Sequence, residues 1–336
     1  MRIILAILLC LGLCGCQKST ADQLKELGYN EEETACIEAL SEALQERFLQ
    51  EYDTKALYYV MREDFEEEKL EDYLRYDGKL DTDKMVELVN KGILNETDLP
   101  LYQQLYGSEF YLPSREDLYL KYLKEYDTVR DVIEIVNTNR YRELYEGVEE
   151  TDLSKGYLIL VNKYYQLPSD YEPDDLVSVD PALGRGKLRN EVYEAYKRLY
   201  ADAKEEGYDL KVLSAYRSYG VQNAVYNGYL EIDPKEVVDT YSARPGHSEH
   251  QSGLCLDVSE PGYSLDDFYL TEASAWLKEN CHKYGFIIRY PEDKTGITGY
   301  QGEPWQIRYL GVKTATDVVE KGITYDEYYA CFVEKR

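Results

Sequence analysis

Near residue 150 the chain changes character. From Ala21 to about Tyr145 it is charged, helical in period and poor in glycine and proline. Beyond Thr151, short apolar runs alternate with proline-, glycine- and aspartate-rich turns, as in "PSDYEPDDLVSVDPALG". A chain with that break cannot be one uniform bundle or one uniform sheet. It predicts an all-α segment over 21–150 followed by an α+β domain over 151–336.

Within the first segment, "ETACIEALSEALQERFLQEY" places Cys36, Leu40, Leu44 and Phe48 at i, i+4 steps, a narrow apolar stripe on a helix. "YLRYDGKLDTDKMVELVN" (Tyr73–Asn90) is echoed by "YLKEYDTVRDVIEIVN" (Tyr122–Asn137), two residues shorter. Such an echo predicts divergent helical hairpins, an architecture that serves as a scaffold or binding surface. In the second segment "GYLILVNKYYQL" is a buried-strand candidate. "KLRNEVYEAYKRLYADAKEEG" aligns Leu188, Val192, Tyr196, Leu199 and Ala203 on one helical face and stops at Gly207. The 36 tyrosines, against 6 phenylalanines, recur at helical spacing with Leu and Val and read as amphipathic core edges.

The N-terminus predicts a compartment. Met1-Arg2 followed by the apolar run Ile3–Leu13 is too short to span a bilayer and reads as a signal-peptide h-region over 1–16. It ends in Leu13-Cys14-Gly15-Cys16, which resembles a bacterial lipobox, with Cys16 the lipidated residue. The protein is then expected outside the cytoplasm, held to the membrane by lipid alone. A net charge of −27 argues against nucleic acid or anionic lipid as partner. Cys36, Cys255, Cys281 and Cys331 match neither a zinc ribbon nor a dense disulfide framework; one bridge is compatible with this compartment.

The candidate chemistry lies in "SEHQSGLCLD". His250 and Asp257 stand seven residues apart across a turn glycine and an apolar strand, a spacing that lets both face one point, and both are normal zinc ligands. The pair gains weight from its company: "YRSYGVQ" (Tyr216–Gln222), "ARPGHSEHQSGLCLDV" (Ala243–Val258), "WLKENCHKYGFIIRYP" (Trp276–Pro291) and "GEPWQIRYLG" (Gly302–Gly311). In this order and spacing, from about Gly156 onward, they resemble the VanY-type zinc D-alanyl-D-alanine carboxypeptidases and their L,D-carboxypeptidase relatives. The resemblance implies a mixed α/β domain of Hedgehog/DD-peptidase type, acting on peptidoglycan stem peptides with Zn2+. It assigns His250 and Asp257 as metal ligands, Glu303 as general base and Arg217 as oxyanion stabiliser. Ser248 and Gln222 fall at positions expected to hold the substrate's free carboxylate.

Two residues depart from the family's pattern. Gln306 stands where the third zinc ligand is a histidine, and its neutral amide oxygen is a poorer donor than imidazole. Cys255 stands in place of alanine, two residues from Asp257 on the same strand face, and reads either as a small core residue or as a thiolate that helps hold the metal. His247 is expected in a loop and His282 at a helix end, neither as a ligand. Two functions remain open: a metallo-carboxypeptidase removing the terminal D-alanine of stem peptides, or a catalytically silent stem-peptide-binding lipoprotein. The helical segment would then recruit a partner that the sequence does not name. Cys16→Ala is expected to abolish incorporation of a labelled fatty acid and leave the signal segment uncleaved; labelling that persists in that variant rules out Cys16 as the lipidated residue.

Overall fold

The computed structural model describes residues 18–334, so the lipobox and Cys16 lie outside the described residues. Two compact units divide between Gln104 and Leu105.

The first unit is helical: Thr20–Leu27, Glu31–Glu38, Glu42–Gln50, Thr54–Val60, Leu70–Tyr76 and Thr82–Asn90, followed by Leu99–Tyr106 at the division. Polar residues start these helices. The Asn30 side chain accepts from the Glu33 amide while Glu33 caps in return, and Asp53 accepts from the Ala56 amide at 2.9 Å. The apolar stripe through Cys36 and Leu44 is not one helix. Ser41 adopts an extended conformation as the cap of Glu42–Gln50, and its amide is held by Glu67. Of the stripe only Phe48 is fully buried, while Cys36, Leu40 and Leu44 pack at the margin and Ile37, outside the stripe, takes a core place.

The echo in the sequence has a hydrogen-bonded counterpart, in a shifted register. Tyr73 donates its hydroxyl to Asn90 Oδ1 and accepts from the Glu66 amide, while Asn90 Nδ2 donates to the Asp64 carbonyl. In the second unit Tyr119 donates to Asn137 Oδ1 and accepts from the Leu112 amide, while Asn137 Nδ2 donates to the Phe110 carbonyl. Tyr119, not Tyr122, matches Tyr73. The two side chains lie 18 positions apart in the later copy and 17 in the earlier, so the later copy is one residue longer rather than two shorter.

That later copy belongs to the second unit, which moves the boundary from 150 to Gln104/Leu105. The cause is a set of ties that the sequence does not display. Asn137 Nδ2 reaches Cys331 Sγ at 3.3 Å, and Arg140 Nε donates to the Gly296 carbonyl at 2.9 Å. Phe110 packs edge-on against Phe332.

The second unit is built on a four-stranded antiparallel sheet: β1 (Lys211–Ser214), β2 (Cys255–Ser259), β3 (Phe286–Tyr290) and β4 (Glu303–Tyr309), in the order β1-β2-β4-β3. Helix Asn190–Glu205 covers it with the expected face: Val192, Tyr196, Leu199 and Ala203 are fully buried, as is Leu188 just before the helix. Burying each of the larger apolar side chains contributes roughly 1.5–3 kcal/mol. The buried-strand candidate is buried but pairs only at Tyr165–Gln166, with Glu149–Glu150. Side chains satisfy much of its backbone instead: Arg308 donates to the carbonyls of Tyr157 and Ile159, and Thr151 to that of Leu160. All four described cysteines are free thiols. Among the described residues no helix is long and apolar enough to cross a membrane.

A fragment of residues 105–336 is expected to unfold in one cooperative transition. A fragment beginning at 151 loses the Asn137 and Arg140 ties and should melt at a lower temperature by circular dichroism; equal melting temperatures would restore the boundary at 150.

Candidate active site

The turn that carries His250 is set by its neighbours in sequence and space. Glu249–Ser252 forms a single 3-10 turn, closed by Gly253 at φ 67°, a conformation that favours glycine. From there the chain enters β2, which delivers Asp257. Across the ladder, Asp257 stands directly opposite Gln306 of β4, and Glu303 begins the same strand opposite Tyr290. The strand pairing alone therefore brings the two sequence blocks to one place.

His250 and Asp257 converge: Nε2 lies 3.3 Å from Oδ2. The Nδ1 of His250 sits 2.7 Å from the Ala215 carbonyl, which can only accept, so Nδ1 carries a proton and Nε2 is the nitrogen turned towards Asp257. Asp257 Oδ1 is buried without a hydrogen-bond partner. A buried carboxylate oxygen left unpaired beside an imidazole nitrogen is a pair of groups suited to a cation. Gln306, also buried, lines the same cavity. The residues present thus fit a divalent metal through two strong donors and one amide, although no cluster of three His, Cys, Asp or Glu side chains exists among the described residues.

Arg217, Gln222, Ser248, His250, Asp257, Glu303 and Gln306 all line one cavity of about 650 Å³, whose aromatic wall includes Tyr290, Tyr300 and Trp305. Arg217 is held from two sides. Its Nη1 donates to Gln222 Oε1 at 2.9 Å and its Nη2 to Ser214 Oγ at 3.0 Å. Gln222 in turn donates to the Ala243 carbonyl at 2.7 Å. Its observed bonds therefore make Gln222 a support for Arg217. Burial, with the charge of Asp257 adding to it and Arg217 opposing it, pushes the Glu303 carboxyl up to about 8. A carboxyl poised near neutrality can both take up and return a proton.

Cys255 is fully buried, lies off the cavity wall, and burial pushes its thiol well above the ordinary range. Its burial away from the cavity favours the core reading over the thiolate. His247 is buried, and its Nδ1 lies 2.7 Å from the Asn162 carbonyl. His282 lies outside the cavity, in the turn Cys281–Tyr284.

Spacing alone did not reveal the charges beneath the site. Glu249, between Ser248 and His250, accepts from Arg289 Nε at 2.8 Å and Arg308 Nη1 at 2.7 Å. Arg289 Nη1 continues to Asp326 Oδ2 at 2.6 Å. Both arginines are wholly buried. Their signal in the sequence is an arginine inside each of two apolar strands, "FIIRY" and "QIRYL", where buried charge demands a partner.

Residues 185–312 match VanY, described as D-alanyl-D-alanine carboxypeptidase. The YodJ protein of Bacillus subtilis (strain 168) is 38% identical over 193 residues, covering 55% of this chain and 71% of that protein. The solved LD-carboxypeptidase LdcB is 37% identical, with a TM-score of 0.51 over 56% of this chain and 92% of its own. The vancomycin-resistance D,D-pentapeptidase VanY, solved in complex with Zn(II), is 31% identical over 51% of this chain and 98% of its own, with a TM-score of 0.46.

Glu249→Gln leaves two buried guanidiniums facing a neutral amide. It is expected to destabilise the protein by roughly 3–5 kcal/mol in urea unfolding; a loss below about 1 kcal/mol would mean the network is not tightly coupled to folding.

Proposed function

This chain belongs to the VanY family of D-alanyl-D-alanine carboxypeptidases, and from that premise we propose that it removes the C-terminal D-alanine of peptidoglycan stem peptides, outside the cytoplasm and anchored by lipid on Cys16. The observation that carries the reading is the convergence of His250 Nε2 and Asp257 Oδ2, 3.3 Å apart, in one cavity with Arg217, Ser248 and Glu303.

His250, Asp257 and the Gln306 amide oxygen are the residues that would hold zinc. Zinc there would supply Lewis acidity for the scissile carbonyl and acidify water at its open coordination position. The protein's own groups do the rest. Glu303 takes the proton of the attacking water and returns it to the leaving amine. Arg217, which keeps its charge at any working pH and is fixed by Gln222 and Ser214, faces the oxygen on which negative charge develops. Ser248 presents its hydroxyl to the same cavity, suited to the free carboxylate that marks a chain end, while Gln222 holds Arg217 in place.

Gln306 favours a second reading, a stem-peptide-binding lipoprotein without catalysis. If zinc binding is worth roughly 10–16 kcal/mol over four ligands, one ligand carries about 3–4 kcal/mol, and an amide recovers only part of it. Gln306→His restores a nitrogen donor without disturbing Glu303-Pro304-Trp305. That variant is expected to bind zinc at least about tenfold more tightly than the parent and to release D-alanine faster. Adding Glu303→Ala should abolish the gain while elemental analysis still finds the metal. A parent that already holds stoichiometric zinc and gains nothing would show glutamine to be a competent ligand. A repaired protein that binds zinc yet cleaves no stem peptide would point to further lesions and favour the binding reading.

A further inference from the structure

Lys163 is a buried cation that the proposed mechanism does not use. It lies in the segment "ILVNKYY" and is 1% exposed. Its amine donates to the Asp239 carbonyl at 2.5 Å and to the Tyr145 hydroxyl at 3.4 Å. No carboxylate bonds it directly: Asp239 spends its side chain on Tyr226 and Arg244. What lies over the ammonium is the ring of Tyr300, with its centroid 3.5 Å from Nζ, and Tyr145 is at 5.0 Å. A desolvated cation against an aromatic face is a strong instance of that attraction.

Tyr300 is part of the cavity wall. Its ring packs on Tyr290 at 4.8 Å, and Tyr290 is the residue opposite Glu303 in the ladder. The turn before Tyr300 is shaped around the lysine: Gly299 has φ 73°, and a Cβ there would lie 2.7 Å from Lys163 Cε. We propose that Lys163 is a positioning residue, holding the Tyr300 ring in the wall of the substrate cavity and, through Tyr290, fixing the strand start that carries Glu303. This rests on the stem-peptide reading of that cavity.

The other groups facing the amine are Arg140, Arg244, Asp239 and Glu303, with Tyr145, Tyr300 and, behind Tyr145, His247. Burial pushes the amine down to about 7, with Asp239 opposing. The hold on Tyr300 is therefore present below about pH 7 and fades above it. Stability moves the other way. Between about 7 and the ordinary 10.5, the unfolded chain binds the extra proton, so folding gains from this lysine as pH rises.

The test is calorimetry with a stem pentapeptide and zinc chelated, on the parent, Lys163→Met, Tyr300→Leu and the double variant, at pH 6 and pH 9. At pH 6 each single variant should bind about tenfold more weakly, and the double no more weakly than either. At pH 9 the gap between parent and Lys163→Met should close, even as the parent gains thermal stability relative to it. Additive losses, or a gap unchanged at pH 9, would overturn the proposal. If the parent binds no stem peptide, the functional reading falls, and the contact is judged by NMR of labelled tyrosine. The Tyr300 ring signals should then titrate near pH 7 in the parent and lose that step in Lys163→Met; an identical titration in both overturns it.

Discussion

The carboxylate of Glu249 is the point on which the second unit turns. It sits between two residues of the cavity wall, Ser248 and His250, and is bonded by arginines from two adjacent strands, Arg289 of β3 and Arg308 of β4. Arg308 also donates to the carbonyls of Tyr157 and Ile159, and Arg289 reaches Asp326 near the C-terminus. One buried acid thus registers the turn carrying His250 against two strands and, through its two arginines, against the 157–159 segment and Asp326. Well-packed apolar side chains could give comparable stability, because desolvating these charges consumes much of their attraction. What apolar groups could not give is direction. One arginine on each carboxylate oxygen of Glu249 fixes the turn's orientation, and His250 is the next residue.

Above that base the site is cross-tied by backbone. The Arg217 amide donates to the His250 carbonyl at 3.1 Å, while the His250 ring is held by the Ala215 carbonyl. The segment leaving β1 therefore both orients the imidazole and is positioned by it. Lys163 and Tyr300 do the corresponding work on the far wall, next to the strand that begins at Glu303. Arg217 and His250 come from different stretches of chain, yet each is held by a partner within hydrogen-bonding reach, which preorganises both before any ligand arrives.

Much of this was legible in the sequence for a simple reason. Periodicity marks a buried face, so the stripe Val192, Tyr196, Leu199 and Ala203 could be read directly, and the order of the motif blocks sufficed to gather seven side chains into one cavity. Pairing of charges has no such period. Nothing in "FIIRY" says that Arg289 meets Glu249 rather than solvent, and nothing in "ILVNKYY" says that Lys163 meets an aromatic face. The helical boundary failed for a related reason. Composition places 105–150 with the preceding helices, but Asn137 and Arg140 are committed to partners nearly two hundred residues away at the extreme. The stripe through Leu44 failed locally, because the backbone turns extended at Ser41, where Glu67 holds the amide, and this interrupts the i, i+4 pattern.

Gln306 can be placed within the same logic. It pairs with Asp257 through backbone, so the ladder holds whether the side chain is amide or imidazole. Glutamine and neutral histidine also carry the same charge, zero. The electrostatic setting of Glu303, raised by burial and Asp257 and lowered by Arg217, therefore does not change through any charge at position 306. Cys255 is buried and lies off the cavity wall that gathers the other site residues. The departure from the family pattern is thus confined to donor strength at one vertex. The supports of His250 and Arg217 do not pass through position 306: the imidazole is held by the Ala215 carbonyl and the guanidinium by Gln222 and Ser214.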